Sequence, residues 1–230
     1  MHNYYLAPEV HGGLVEKQLV FADLRRGLYF ALSELQTEML DQQIRKGYAS
    51  HNRWSGEILK ALEKEGLVTC YSTSGRPLRC EPAPITVPET AVPSSRNDTN
   101  IIKLRFRDAA AIVSARIVTS VSISCGLLNK REKWTVNQRP ITISSLPDSD
   151  LLNKLATIYS TWDPLLFRKD SCLSRSLTIR RFLLYHRISA KLVIGVRLVP
   201  FTAHAWIQLG TIVVNDAVDH VRSFTPIMEL

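Results

Sequence analysis

A cysteine, a histidine and an aspartate near the C-terminal end of this chain have the types and spacing of an acyl-transfer site. Asp170-Ser171-Cys172 precedes LSRSLTIRRFLLYHR, whose Leu173, Leu177, Phe182, Leu183 and Leu184 make an apolar helical face. Asp170 or Ser171 would cap that helix, so Cys172 falls in its first turn. There the positive end of the helix dipole draws a thiol toward its reactive thiolate. His204 lies six residues before Gly210, and Asp216 six after it. If the chain turns symmetrically about Gly210, His204 and Asp216 face each other across one sheet surface, with Cβ atoms about 5 Å apart. Asp216 then fixes the tautomer of His204, which takes the proton of Cys172: nucleophile, base and orienter. Taken singly, each residue has a plainer reading as a buried cysteine, a satisfied core histidine or a turn acid. The mirror spacing downstream of a helix-start cysteine favours the joint reading. Asp219 and His220 are alternatives that lie past the expected strand end. His186 sits on the Cys172 helix about four turns away, out of reach.

The elements that must hold these residues follow from pattern. Lys191–Leu198 is β-branched and uninterrupted, as an interior strand is, and Pro200 ends it. Ala203–Leu209 and Thr211–Asp216 flank Gly210 as a tight hairpin. Pro147, Asp148 and Asp150 open a helix that runs to about Trp162. Ile101–Leu128 is apolar enough to raise a membrane span, but Arg116 falls in its middle and Ser residues are frequent. A helix buried in a protein core, with Arg116 facing outward or paired, is the expectation, and no stable span.

The N-terminal part reads as strands and then helices. His11–Glu16, Lys17–Asp23 and Gly27–Leu32 are the strands, and the last two flank the turn Leu24-Arg25-Arg26-Gly27. Ser33 caps a helix over Glu34–Arg45, closed by Lys46 and Gly47. A second helix, capped by Ser55, carries Ile58, Leu59, Leu62 and Leu67 as an apolar stripe and ends at Gly66. Residues 1–71 thus suit a small winged-helix-like domain. Residues 72–100, with Pro77, Pro82, Pro84, Pro88 and Pro93, suit a linker, partly extended and poorly ordered. Residues 101–230 form the second domain of an α+β protein.

Composition sets outer limits. The chain has 230 residues and a net charge of +8, which raises nucleic acid as a partner. Residues 1–71, however, hold 8 Lys/Arg against 9 Asp/Glu, a net of −1, while residues 72–230 hold 21 against 12. The basic excess therefore lies outside the winged-helix-like part, which argues against phosphate binding there. The opening MHNYYLAPEV has no basic, apolar and small-residue series of a secretory signal. Cys70, Cys80, Cys125 and Cys172 show no metal-ligand spacing. Cys70 and Cys80 are spaced so that they could pair, but four cysteines are no disulfide framework. A reducing cytoplasm, in which Cys172 stays a free thiol, is the expected setting.

With these residues in view, the chain resembles the lasso-peptide biosynthesis B proteins. The marks are a Cys-Leu-x-x-Ser-Leu helix at Cys172–Leu177, Leu-Val-Ile-Gly-Val at Leu192–Val196, Ala-His-Ala-Trp at Ala203–Trp206, and Asn215-Asp216. The C-terminal part looks like the family's transglutaminase/papain-like cysteine protease domain. The N-terminal part is similar to its PqqD-like leader-recognition domain. The resemblance implies a leader peptidase with Cys172, His204 and Asp216 as its catalytic residues. The first domain would bind the leader of a ribosomally made precursor. The second would cut the leader away, after a threonine near its end. A separate asparagine-synthetase-like cyclase would then join the freed amine to an Asp or Glu side chain. ATP has been linked to the peptidase step in this family; the chain has no phosphate loop, so a nucleotide need would belong to the cyclase. By resemblance, the leader adds as a strand to the edge Gly27–Leu32, walled by the helix from Ser55 to Glu65. Leu28, Tyr29, Phe30, Ile58 and Leu62 are the candidate contacts, although alternate residues of that strand must face inward.

The expected chemistry needs no cofactor and no metal. A Cys172 thiolate attacks the carbonyl at the leader–core junction, His204 protonates the leaving amine and later activates water, and the Cys172 backbone N–H is the first oxyanion donor. The same three residues would also serve a transglutaminase-like acyltransferase, in which an amine replaces water. A peptide-binding module with a degenerate site is the non-catalytic alternative.

Overall fold

The computed structural model describes residues 4–45, 53–71, 76–92, 106–124, 149–166 and 171–230. Two compact units emerge: Met1–Ile85 with Val196–Pro200 and Thr225–Met228, and Thr86–Gly195 with Phe201–Phe224 and Glu229–Leu230.

The first unit begins with β1 (Tyr5–Leu6), then β2 (Val10–Val15), β3 (Gln18–Asp23) and β4 (Leu28–Ala31). The last three form an antiparallel sheet in the order β2-β3-β4. The β3–β4 turn is built as its sequence suggests. Asp23 accepts the backbone N–H groups of Arg25 (2.9 Å) and Arg26 (3.1 Å), and Gly27 takes φ +67°. Helix α1 (Glu34–Arg45) starts on a reciprocal cap, with Gln36 N–H donating to Ser33 Oγ and Ser33 N–H to Gln36 Oε1. Helix α2 runs over Arg53–Lys64. It starts earlier than the sequence suggests, because Ser55 does not cap it. Its hydroxyl is buried and donates to Gln43 Oε1 at 2.9 Å, joining α2 to α1. Gly66, at φ +70°, ends α2. β5 (Val68–Thr69) then pairs with β1.

Val10, Leu19, Phe21, Leu40, Leu59, Leu62 and Leu67 form this unit's core. Burying each Leu stabilises it by about 1.5–3 kcal/mol. The proline-rich stretch contributes to it: Leu78 and Cys80 are core residues, Leu78 N–H donates to Tyr4 O, and Leu14 N–H to Glu81 O. Cys70 and Cys80 are both free thiols, and burial pushes Cys80 up to about 12. The spacing of these two cysteines therefore marks no disulfide; Cys125 lies outside the described residues.

After β6 (Thr90–Ala91), the second unit holds helices α3 (Phe106–Ser124), α4 (Ser149–Leu166) and α5 (Cys172–Tyr185). β7 (Lys191–Arg197), β8 (Thr202–Leu209), β9 (Ile212–Val213) and the short helix α6 (Val218–Arg222) follow, and then β10 (Thr225–Glu229), whose Thr225–Met228 belong to the first unit. The largest sheet has the order β10-β7-β8-β9-β6. β7 is interior, and its Leu192–Val196 are all buried, as its unbroken apolar run requires. Helix α4 runs a turn past Trp162. Among the described residues no helix, α3 included, is long and apolar enough to cross a membrane. Arg116 is paired along its own helix, with Ser120. The helix is only half enclosed, since Val113, Ile117 and Val121 are exposed while Ile112, Ala115 and Thr119 are buried. Arg181 of α5 donates to Thr119 and Ser122 of α3, so polar groups fasten the two helices.

Candidate active site

Three segments converge on Cys172. The first is the start of α5, where Cys172 is the first helical residue, as its sequence position implies. Ser171 is the N-cap position, but its side chain makes no capping bond. Its backbone, at φ −110° and ψ 38°, is not in the extended region that turns a capping hydroxyl onto the first turn. Asp170 lies outside the described residues. The helix is buried along much of its length, with Ser176, Leu177, Ile179, Phe182 and Leu183 inside. Ser176 Oγ donates to Ala205 O at 2.9 Å, tying the Cys172 helix to the His204 strand one turn from the thiol.

The second segment is β8. His204 is seated among rings: Phe224 lies 5.1 Å away centroid to centroid, His220 4.7 Å, and Trp206 stacks at 6.1 Å and 20°. Trp206 is fully buried, and its indole N–H donates to Gln208 Oε1. It lies directly on Gly195 of β7. A Cβ there would come within 2.9 Å of the indole and 3.0 Å of Phe224 Cβ, so this strand position must be glycine.

The third segment carries Asp216, and it corrects the symmetric hairpin. β8 and β9 pair as Gln208 with Val213 and Leu209 with Ile212. The ladder is thus one residue out of register from a mirror about Gly210. Had it continued, His204 would have faced Ala217, and Asp216 would have pointed to the other face. Instead β9 stops after Val213. Val214 N–H still donates to Ile207 O, but Ile207 N–H is taken by the Asn215 side chain at 2.7 Å. Asn215 Nδ2 donates in turn to Ser176 Oγ at 3.0 Å. By substituting for the ladder, Asn215 lets the chain leave the sheet just before Asp216. Asp216 Oδ2 then lies 2.6 Å from His204 Nε2.

The predicted trio is therefore together, through a different backbone path. The side chains of His204 and Asp216 are 15 % and 19 % exposed, enclosed enough for their hydrogen bond to be strong and open enough for a substrate. With Nε2 committed to Asp216, the Nδ1 side of the ring is left for Cys172. Burial raises the Cys172 thiol, but the hydrogen bond with His204 and the backbone amides of Ala205 and Leu173 outweigh it, and the net shift is downward. Burial opposes charge on His204 too, yet the bonds to Asp216 and Cys172 lift it to about 9. Asp216 is held below its ordinary value, burial being outweighed by donation from His204, His220 and the Ala217 N–H. These three directions favour the charged form of each group: thiolate, imidazolium and carboxylate.

His220 is the member that sequence reasoning placed elsewhere. It does not substitute for His204. Its Nδ1 lies 2.9 Å from Asp216 Oδ1, so Asp216 bridges two histidines. The i, i+4 spacing from Asp216 was the available signal. His204, Asp216 and His220 bring potential ligand atoms within 4.8 Å of one another, so the three residues could hold a metal ion. In this arrangement those atoms are spent on one another in hydrogen bonds, and the cluster reads as a proton network. His186 is apart, 3.4 Å from Asp108 Oδ1 without a hydrogen bond, and burial lowers its pKa. A cavity of about 580 Å³ opens beside Asp216, bounded by Asn215, Ala217, Tyr159, Arg175 and Ala91.

The other candidates lie in the first unit. Leu28 is half exposed, Tyr29 and Phe30 are intermediate, and Ile58 is partly buried against the core. Leu62 is 5 % exposed and belongs to the core itself. Leu35 and Trp54, not singled out by sequence, are large and exposed.

The chain is 37 % identical over 81 residues to the microcin J25-processing protein McjB of Escherichia coli. The match covers 35 % of this chain and 39 % of that relative. The resemblance to lasso-peptide B proteins, read from four short motifs, is in line with it. No solved structure matched the chain. Residues 115–229, half of the chain, match the transglutaminase-like superfamily, and the whole Cys172–His204–Asp216 site falls within them: the chain belongs to the transglutaminase-like superfamily.

Proposed function

We propose that this protein is the leader peptidase of a lasso-peptide pathway, a thiol hydrolase with Cys172 as nucleophile, His204 as acid and base, and Asp216 as the orienter of His204. The observation that carries this reading is the hydrogen-bonded series at the start of α5, with Asp216 Oδ2 at 2.6 Å from His204 Nε2 and His204 bonded to Cys172. The thiolate attacks the carbonyl carbon at the leader–core junction, and the oxyanion forms at the Cys172 backbone N–H. His204 gives its proton to the leaving amine, which departs as the new N-terminus of the core. The leader stays as a thioester. Water, deprotonated by His204, attacks the thioester, the leader leaves as a carboxylate, and the thiolate–imidazolium pair is restored. Every step uses side chains of this chain and water, and any ATP demand belongs to the cyclase.

The first unit serves as a PqqD-like leader-binding domain. β4 pairs with β3 alone among the described residues, which leaves its other edge for an added peptide strand, with Leu28 half exposed beside it. The freed core passes to an asparagine-synthetase-like cyclase in the cytoplasm. The full chain, incubated with the precursor peptide encoded beside its gene, should release an intact leader and a core with a free N-terminus by mass spectrometry. Cys172→Ala should release neither while still binding the leader. A crosslinked product would mean acyl transfer to an amine, and cleavage by Cys172→Ala would end the thiol mechanism.

A further inference from the structure

We infer that His220 is a fourth, positioning member of the site: it fixes the rotation of the Asp216 carboxylate and through it the ring of His204. This rests on the triad reading above. A carboxylate joined to one partner still turns about its Cβ–Cγ bond. Here both oxygens are engaged. Oδ2 faces His204 Nε2 at 2.6 Å, while Oδ1 receives the Ala217 N–H at 2.7 Å and His220 Nδ1 at 2.9 Å. An ionised carboxylate only accepts, so Nδ1 of His220 carries the hydrogen, and it does so in either charge state of the ring.

Two donors on Oδ1 and a third partner on Oδ2 together leave the carboxylate one orientation, the one that meets His204. The His220 ring is itself held. It stands edge-on to Phe224 at 5.5 Å and 87°, and tilted against His204 at 4.7 Å. Phe224 also packs against His204, at 5.1 Å. The imidazole that takes the proton of Cys172 and hands it to the leaving amine is thus braced on its Asp side by a hydrogen bond and on its face by the residue that organises that hydrogen bond. His220 meets Asp216, His204 and Phe224, and its hydrogen bond is to Asp216, so it acts through Asp216. Its side chain is half exposed, so replacing it removes little buried surface.

The test reads the thiolate of Cys172 directly and needs no peptide. Rates of Cys172 alkylation by iodoacetamide are followed against pH in the full chain and its variants, with the modified Cys172 quantified in its own proteolytic peptide by mass spectrometry. His220→Phe keeps an aromatic ring and loses the donor. His220→Asn offers a side-chain N–H close to where Nδ1 lies. His220→Phe should lower the alkylation rate on the acid side of the profile about tenfold, the scale of one lost hydrogen bond to a charged group. His220→Asn should restore it to within about twofold of the native rate. Equal rates in all three proteins would overturn the role of His220. So would equal losses in His220→Phe and His220→Asn, which would mark a packing effect. Asp216→Asn separates the two levels of inference. If it leaves the profile unmoved, the triad itself fails; if it shifts the profile and His220→Phe does not, only the fourth member fails.

Discussion

At the scale of single residues, the proposed mechanism makes the site an ion pair with two limits. Cys172 ionises below the ordinary thiol value, and His204 keeps its proton up to about 9. The competent state lies between them. Cleavage measured as kcat/KM over about pH 5–10 should rise with ionisation of Cys172 and fall near 9 as His204 loses its proton. In Asp216→Asn the carboxylate that raises His204 is gone, so the alkaline limb should move to lower pH and the maximum should fall. The same shifts bear on stability. The folded-state pKa of His204 is raised from 6.5 to about 9, so its contribution is complete below 6.5 and is lost as pH rises through about 9. Asp216 is shifted downward, so its contribution is present above 3.8 and is lost only at more acid pH. Cys172, shifted downward from 9.0, contributes in the opposite sense over the same range, so the thermal midpoint should fall further between neutral pH and about pH 10 in the native chain than in Asp216→Asn, where the His204 contribution is reduced. The three residues proposed for catalysis could be singled out in the sequence because few residues other than a helix-start cysteine, a strand histidine and a nearby acid do this chemistry. His220 was not, because its role depends on α6 folding back toward Asp216, and a five-residue helix leaves almost no periodic signal.

At the scale of elements, the interest lies in how ordinary strands deliver residues to unusual places. Alternation and the turn at Gly210 were enough to read a β8–β9 hairpin, but not its register, since a slip of one residue changes no composition. Asn215 resolves the slip. It replaces a ladder acceptor with its side chain, holds Ser176 on the cysteine helix, and releases the chain so that Asp216 turns toward His204. Asn215→Ala should leave the Ile207 N–H unpaired, costing about 1–3 kcal/mol in denaturant unfolding. It should also reduce cleavage more than it reduces leader binding, because Asp216 loses its anchor. Gly195 is the second device. In the sequence it looks like a flaw in an apolar strand, yet it is the floor on which Trp206 lies beneath His204. Gly195→Ala should destabilise by about 1–3 kcal/mol through overpacking. A variant of unchanged stability and activity would show that Trp206 is not held there.

At the scale of the whole molecule, two kinds of sequence signal built two units, and they were legible to different degrees. In the second unit, chemistry and pattern point the same way. In the first, helix periodicity and turn residues marked the elements well, while the partition of β4 and α2 between core and surface was hidden. Leu62 looks like Ile58 in sequence but is a core residue, because only tertiary packing decides which side of an apolar stripe is covered. That partition determines how leader recognition should be tested. A core substitution would unfold the unit and report nothing about binding, whereas Leu28, half exposed beside the open edge of β4, can change without loss of the core. If the first unit captures the leader, it acts by raising the concentration of the junction at Cys172 and not by altering the bond-breaking step. Leu28→Lys in the full chain should then raise KM for the whole precursor about tenfold, an energy of about 1.4 kcal/mol, with kcat nearly unchanged. A short peptide that spans the cleavage junction but lacks the leader should be cut equally by both proteins. Unchanged KM for the precursor would move recognition away from the β4 edge. Equal losses on the precursor and the short peptide would mean that Leu28 supports the fold and not the leader.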